Sequence, residues 1–304
     1  MTRRLAAIDI GSNTLQLLVA EPHDGGLREV FHDVVMPRIG KDVQETGRVG
    51  EQKLAELRFE VGRLATLARE HGAELLLVGA TEAVRRAADR ELVLAAVSEA
   101  AGAPCHLISP ETEARLSFRG ATATQGSAGL VVVADVGGAS TECVLGEDGR
   151  ILALVSLPVG SGSATERWLL TDPPDATERE ACAAGVREVL TSAPAGHPGR
   201  GIVTGGTAST LPALLGRTLG SAGGDLSRAD LDACRSILGH HPGAHVASRY
   251  GIEPARARVL AGGVEIIDAV RERYHLEAIS VSLQGLRDGM ILAALDAGEG
   301  WVEG

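Results

Sequence analysis

Val133-Ala134-Asp135-Val136-Gly137-Gly138-Ala139-Ser140-Thr141 repeats, 126 positions on (135 − 9), the stretch Ala7-Ile8-Asp9-Ile10-Gly11-Ser12-Asn13-Thr14-Leu15. The match runs from the aspartate to the hydroxyl residue, Thr14 against Ser140. Each copy lies between apolar runs, Leu5–Ile8 and Leu15–Ala20 in the first, Leu130–Val133 and Cys143–Leu145 in the second. That pattern predicts strand, tight small-residue turn, strand: a β-hairpin, not the strand–loop–helix of a P-loop. Small residues in such a turn let backbone N–H groups converge on an anion. An aspartate ending the strand just before the turn is placed to hold Mg²⁺, directly or through water. One such turn alone is a weak signal, because Gly-Ser turns between strands are common. Repetition strengthens it, since a purely structural turn has no need to repeat its aspartate and its hydroxyl.

Length and composition set the frame. A chain of 304 residues accommodates two domains with substantial cores, which the spacing of the repeat suits. Hydrophobic residues at 44% beside 23% charged describe a soluble globular protein, and 2% aromatics leave the core to Ala, Val, Leu and Ile. No apolar run approaches the roughly 20 residues of a membrane span. The N-terminal Thr2-Arg3-Arg4 and Leu5–Ile8 begin like a signal peptide, but the apolar part stops at Asp9. A cytoplasmic location is therefore expected. Cys105, Cys143, Cys182 and Cys234 are far apart and form no C-x-x-C, as reduced structural thiols would. A net charge of −11 argues against general nucleic-acid binding, so positive charge toward a polyanion must be local. Apart from Lys41 and Lys53 the basic residues are arginine, suited to bidentate phosphate contacts.

Periodicity then lays out the rest. In the first half it predicts a third strand over Leu27–Met36 and a loop through Gly40 and Gly50. A helix over Glu51–His71, a strand at Leu75–Val78, and helices at Glu82–Arg86 and Arg90–Ala101 follow. A strand at Cys105–Ile108 leads into a helix from Glu111, with Ser109-Pro110 as N-cap and first-turn residue. The small, polar Ala121–Gly129 reads as the linker between halves. Beyond it come a strand at Ile151–Leu157, helices at Ser163–Leu170 and Thr177–Leu190, a strand at Ile202-Val203 and a turn at Gly205-Gly206-Thr207 before Ser209–Leu215. Helical patterns cover Ser227–Leu238, Gly243–Tyr250 and Glu253–Arg273. A strand at Ala278–Leu283 and a helix over Gly285–Leu295 close the chain. Gly262-Gly263 inside a helical stretch implies close backbone packing or a ligand against the helix. Gly160-Ser161-Gly162 lacks the third glycine and acidic residue of a dinucleotide loop. His240, His241 and His245 have no carboxylate or cysteine to complete a metal set.

Taken together, these segments resemble the exopolyphosphatase / guanosine pentaphosphate phosphohydrolase (Ppx/GppA) family of the actin-like superfamily. The matching stretches are Ala7–Thr14, Ala80–Arg85, Ile108–Leu116, Ala134–Glu142, Val203–Ser209 and Val281–Gly289, in family order over almost the whole chain. The resemblance implies an α/β chain of two actin-like (ribonuclease H-like) domains with an active-site cleft between them. They would span 1–124 and 125–304, with the C-terminal helix at about 286–300 able to pack back on the first. This is the short, two-domain form of the family. It implies that Glu113, before the alanine of Glu111-Thr112-Glu113-Ala114-Arg115-Leu116, is the catalytic glutamate. Such a carboxylate orients and deprotonates the water that attacks the terminal phosphorus. Asp9, Asp135 and Glu142 match acidic positions that would hold Mg²⁺. Gly11, Ser12, Asn13 and Thr14 would form one phosphate cradle, and Gly137, Gly138, Ser140 and Thr141 the other. Gly205-Gly206-Thr207 would be a third loop at the cleft. Arg85 would clamp phosphate oxygens, with Arg38 a weaker match and Arg86 and Arg115 adding local positive charge.

Three departures from the family pattern stand out. Ala139 replaces the third glycine of the second loop, Pro110 stands where relatives often carry glycine, and Leu157–Glu166 lacks the basic residue often found there. The activity implied is Mg²⁺-dependent release of orthophosphate from the ends of inorganic polyphosphate, short chains included. Guanosine pentaphosphate (pppGpp) hydrolysis would use the same groups. A sugar or acid kinase, and a non-catalytic sensor of polyphosphate or alarmone, are the other readings. Family members are often dimers, so a homodimer is a further expectation.

Overall fold

Every residue of Leu5–Ile10 (β1) is buried, which makes it a central strand covered on both faces. The computed structural model describes residues 3–24, 26–218 and 224–302. Thr2 of the basic N-terminus and residues 303–304, which close the expected second domain, lie outside them. Beside β1 the chain forms β2 (Leu15–His23) and β3 (Gly26–Val35), then α1 (Ile39–Thr46), α2 (Glu51–Glu70), β4 (Leu75–Ala80), α3 (Glu82–Arg86), α4 (Arg90–Ala101), β5 (Cys105–Leu107) and α5 (Pro110–Gln125). The five strands lie in the order β3-β2-β1-β4-β5. β1, β2 and β3 are antiparallel neighbours, while β1, β4 and β5 run parallel.

The second sheet repeats this plan. β6 (Leu130–Val136), β7 (Thr141–Glu147) and β8 (Arg150–Leu157) form the antiparallel meander, followed by α6 (Ser161–Trp168) and α7 (Ala176–Leu190). Next come β9 (Arg200–Thr204), α8 (Gly206–Leu214), β10 (Gly224–Ser227), α9 (Arg228–His240), α10 (Gly243–Tyr250), α11 (Pro254–Arg273) and β11 (Ala278–Val281). The strand order is β10-β11-β9-β6-β7-β8, with β6, β9 and β11 parallel and β10 an added antiparallel edge. The last helix, α12 (Leu286–Ala297), belongs with the first sheet. The chain divides into 1–123 with 286–304, and 124–285. The α/β class with two actin-like halves is thus what the chain adopts.

Period-2 alternation decides which face of each strand meets which helices. Ala6, Ile8 and Ile10 of β1 join α2 and α4 residues such as Leu57, Val61, Leu64 and Val97 in one core. Leu5 and Ala7 join Leu116 of α5 and Met290 and Ile291 of α12 in another. Asp9 continues the Leu5–Ala7 series, so the sequence alone directs it to the face that α5 covers. In the second unit Val132, Ala134 and Val136 face one core built with α6, α7, α8 and α11. Asp135 belongs to the opposite series, after Val131 and Val133.

Four local expectations need correction. The loop expected through Gly40 contains α1, whose Ile39 and Val43 are buried although glycines at 40 and 47 hide the pattern. Most of the expected linker Ala121–Gly129 is the end of α5, where Ala121 is buried and Thr122 Oγ1 donates to the Phe118 carbonyl at 2.7 Å. α8 starts at Gly206, so the third small-residue turn is shorter than expected. β10 was too short and polar to register as a strand. Close packing accounts for Gly262 and Gly263: an added Cβ would lie 2.8 Å from the Ser161 carbonyl and 2.3 Å from Thr207 Cγ2, respectively. Among the described residues no helix is long and apolar enough to cross a membrane.

Candidate active site

Both expected turns are hairpins closed by the same hydrogen bond. Gly11 N–H donates to the Thr14 carbonyl at 2.9 Å, and Gly137 N–H to the Ser140 carbonyl at 3.0 Å. Their strands pair in matching register, Asp9 with Gln16 and Asp135 with Glu142. What lies behind each turn gives it its chemistry. In the first, the Ser12 carbonyl accepts from Gly40 N–H at 2.8 Å and the Asn13 carbonyl from Arg38 N–H at 3.2 Å. A trans peptide unit is planar, with C=O and N–H on opposite sides. The N–H groups of Asn13 and Thr14 therefore point away from that support.

In the second turn the support is the N-terminus of α6. Ser161 N–H donates to the Gly137 carbonyl at 2.9 Å, and Gly162 and Ser163 N–H to the Gly138 carbonyl at 2.8 and 3.0 Å. Ser163 Oγ reaches the Ala139 carbonyl at 3.4 Å. By the same planarity the N–H groups of Gly138, Ala139 and Ser140 face the other way. Among the described residues none of these five outward amides donates to a backbone carbonyl. Each turn is thus a concave set of backbone donors, the arrangement that binds phosphate oxygens. The methyl of Ala139 leaves its amide in this set. Gly160 is required here: an added Cβ would sit 2.5 Å from both Gly138 C and Ala139 N.

Three carboxylates border these turns. Asp9 and Glu142 are buried, and Glu142 accepts from Ser156 Oγ at 2.7 Å. Thr141, fully buried, donates its hydroxyl to the Val159 carbonyl at 2.6 Å, which makes it a brace for β7 and not a donor toward a ligand. Hard carboxylate oxygens of this kind suit Mg²⁺, which one or two protein carboxylates hold together with substrate phosphates. Among the described residues no three acidic, histidine or cysteine side chains form a metal cage of their own. The stacked His241 and His245, with ring centroids 4.6 Å apart, therefore stand without such a cage.

Glu113 occupies the first turn of α5. Ser109 Oγ caps that helix by accepting from Thr112 N–H at 3.1 Å, with Pro110 next in line, as the sequence predicts. The side chain of Glu113 is only 9% exposed, and its Oε2 lies 2.6 Å from Arg85 Nη1. The same Nη1 donates to the Ile108 carbonyl at 2.7 Å, while Nε and Nη2 donate to Glu82 Oε2 at 3.2 and 2.9 Å. Burial alone would lower the Arg85 pKa. The charge of Glu113 and the hydrogen bonds that Arg85 donates to Glu113 and Glu82 outweigh it, and the net shift is upward. The structure thus brings Arg85 to Glu113, a pairing that sequence reasoning did not anticipate.

The third loop is held tightly. Gly205 has φ 97°, and a Cβ there would lie 2.5 Å from the Val136 carbonyl and 3.0 Å from Asp135 Oδ1. It therefore abuts the strand end that carries Asp135. Gly206 lies beneath the guanidinium of Arg256, whose Nη1 is 1.8 Å from an ideal Cβ. Burial lowers the Arg256 pKa, with the charge of Glu253 opposing it. Among the described residues Thr207 Oγ1, which is buried, has no hydrogen-bond partner. Arg256 was missed because its only signal was an arginine in the first turn of α11, one of many on helix surfaces. Arg38 takes the left-handed conformation, φ 55°, at the turn that supports the first hairpin. Burial pushes the thiols of Cys105, Cys143, Cys182 and Cys234 up to about 12, which removes them as nucleophiles.

With this geometry in hand, comparison with known proteins gives a consistent result. Residues 18–297 match the model of the Ppx/GppA phosphatase family. The chain is 34% identical to exopolyphosphatase 2 of Mycobacterium tuberculosis, over 95% of this chain and 98% of that protein. It is 27% identical to a guanosine-5'-triphosphate,3'-diphosphate pyrophosphatase of Vibrio vulnificus, over 94% of this chain and 58% of that longer protein. The crystal structure of the Aquifex aeolicus Ppx/GppA family member superposes with a TM-score of 0.84 at 28% identity, over 98% of this chain and 99% of that one.

Proposed function

The chain belongs to the Ppx/GppA phosphatase family, and from that premise we propose that it is an exopolyphosphatase that releases orthophosphate from the ends of polyphosphate chains. The observation that carries this reading is the pair of turns whose carbonyls are bonded from behind, so that five amides face outward. Backbone donors fixed in this way need no reorganisation when charge develops on phosphate oxygens. Glu113 supplies the second requirement, a carboxylate held in one orientation. In this reading it accepts a proton from the attacking water as the oxygen–phosphorus bond forms, and the shortened chain leaves with the electrons of the broken anhydride bond.

Mg²⁺ is part of the proposal. Asp9 lies at the end of a strand just before the first turn, and Asp135 and Glu142 face each other across the ladder beside the second; each is a hard oxygen donor of the kind that suits the ion. Bound there with substrate, the metal supplies neutralisation of phosphate charge. Glu142, fixed by Ser156, and Asp135, against Gly205, are restrained before any ion arrives. Four free cysteines fit a cytoplasmic setting.

The Vibrio relative favours a second reading, removal of the terminal phosphate of guanosine pentaphosphate. Phosphate release from both substrates at matched concentration, with and without Mg²⁺, separates them. Release from polyphosphate at the higher kcat/KM is expected; release from the nucleotide alone would replace the first reading with the second. Glu113→Gln should lower kcat by about 10²–10⁴-fold, and full activity in that variant would remove Glu113 as the base.

A further inference from the structure

We propose that Arg85 is a positioning residue that fixes the general base, and that it does not clamp phosphate. This inference rests on the reading of Glu113 as the base. A bidentate phosphate contact uses two adjacent N–H groups along one edge of the guanidinium. Glu82 occupies the edge formed by Nε and Nη2, at 3.2 and 2.9 Å. Both hydrogens of Nη1 are directed elsewhere, one to the Ile108 carbonyl and one to Glu113 Oε2. That leaves one N–H of five, on Nη2, too few for a clamp.

The same contacts are what orientation of a base requires. Glu113 has three rotatable side-chain bonds and lies on the first turn of a helix, where a carboxylate left alone would turn toward the nearby helix amides. Arg85 links one of its oxygens to the carbonyl of Ile108, which directly follows β5, and so to the edge of the sheet. Glu82, in the same short helix as Arg85, holds the guanidinium from its far side. The side chains of Arg85 and Glu113 are 12% and 9% exposed, so water competes weakly for these bonds. The arrangement runs Glu82–Arg85–Glu113, with a single cation between two carboxylates.

A double-mutant cycle on polyphosphate hydrolysis tests this. Arg85→Ala should lower kcat by about 10²-fold, the cost of a base displaced by about 1 Å, with KM within about three-fold of wild type on the uniform-binding argument. In the Glu113→Gln background the same change should cost less than about two-fold, because the group that Arg85 positions is already absent. Added guanidinium should restore part of kcat in Arg85→Ala and none in the double variant. Glu82→Gln leaves the Arg85–Glu113 bond in place and should lower kcat by about three- to ten-fold at unchanged KM; it serves if Arg85→Ala does not fold. A large rise in KM for Arg85→Ala, costs that multiply in the double variant, or a Glu82→Gln enzyme with wild-type kcat would overturn the proposal while leaving the exopolyphosphatase reading intact. A wild-type protein that turns over no phosphoanhydride would overturn both.

Discussion

The two hairpins share a backbone and differ in what stands behind them. In the first, two carbonyls, those of Ser12 and Asn13, are bonded by single amides of the turn that enters α1. In the second, three successive carbonyls from Gly137 to Ala139 are taken up by the start of a helix, with a hydroxyl completing the set. A further difference lies two residues past each turn's fourth position, where Gln16 donates to Thr14 Oγ1 at 3.1 Å and Glu142 accepts from Ser156. The two turns thus match in the part that presents amides and differ in their supports. The second hairpin is the more rigidly held and the more acidic. The first shares its unit with Glu113, the proposed base.

This contrast ranks the consequences of substitution. Gly160→Ala should do most harm, since its Cβ meets backbone atoms at 2.5 Å that cannot rotate aside. We expect a loss of about 1–3 kcal/mol of stability, read as a lower Tm, together with a KM for polyphosphate raised more than about ten-fold. Gly40→Ala meets Ser12 Cβ at 2.8 Å and the Ser12 carbonyl at 3.0 Å, on a less constrained turn. Its cost should fall near the lower end of that range, about 1 kcal/mol. Equal damage at the two positions would show that the supports are equivalent. Gln16→Glu gives the first hairpin the acid of the second. One more negative charge near bound phosphate, worth about 1 kcal/mol at 4 Å in water, should raise KM about five-fold and less at high salt. Ala139→Gly restores the commoner residue of relatives and should change KM by less than about two-fold, because the amide and not the methyl is the donor. A large gain there would mean that the methyl obstructs the cradle.

Much of this was legible in the sequence because the repeat carried it. Asp9 and Asp135, the small residues between strands and the alternation along β1 and β6 define the sheet cores and the two amide turns without reference to coordinates. The Ser109-Pro110 start of α5 was equally plain. The supports were not. Gly160-Ser161-Gly162 resembles a broken dinucleotide loop, and its actual task, giving with Ser163 three amides to carbonyls more than twenty residues earlier, has no local pattern. Gly40 suggested a loop because glycine lowers helical propensity, whereas its small size is what lets the turn approach Ser12. Arg85 matched a motif and was assigned to phosphate. Only the fold shows Glu82, Ile108 and Glu113 converging on it, since that convergence depends on α3 and α5 meeting across residues far apart in the chain.

The central claim is that both turns bind phosphate through outward backbone amides. It is tested most directly by amide chemical-shift mapping of the Glu113→Gln variant during titration with polyphosphate and Mg²⁺. The account predicts that the N–H resonances of Asn13, Thr14, Gly138, Ala139 and Ser140 shift together and saturate at one common concentration. Saturable binding that leaves either set unmoved, or that moves amides elsewhere on the chain instead, would contradict it.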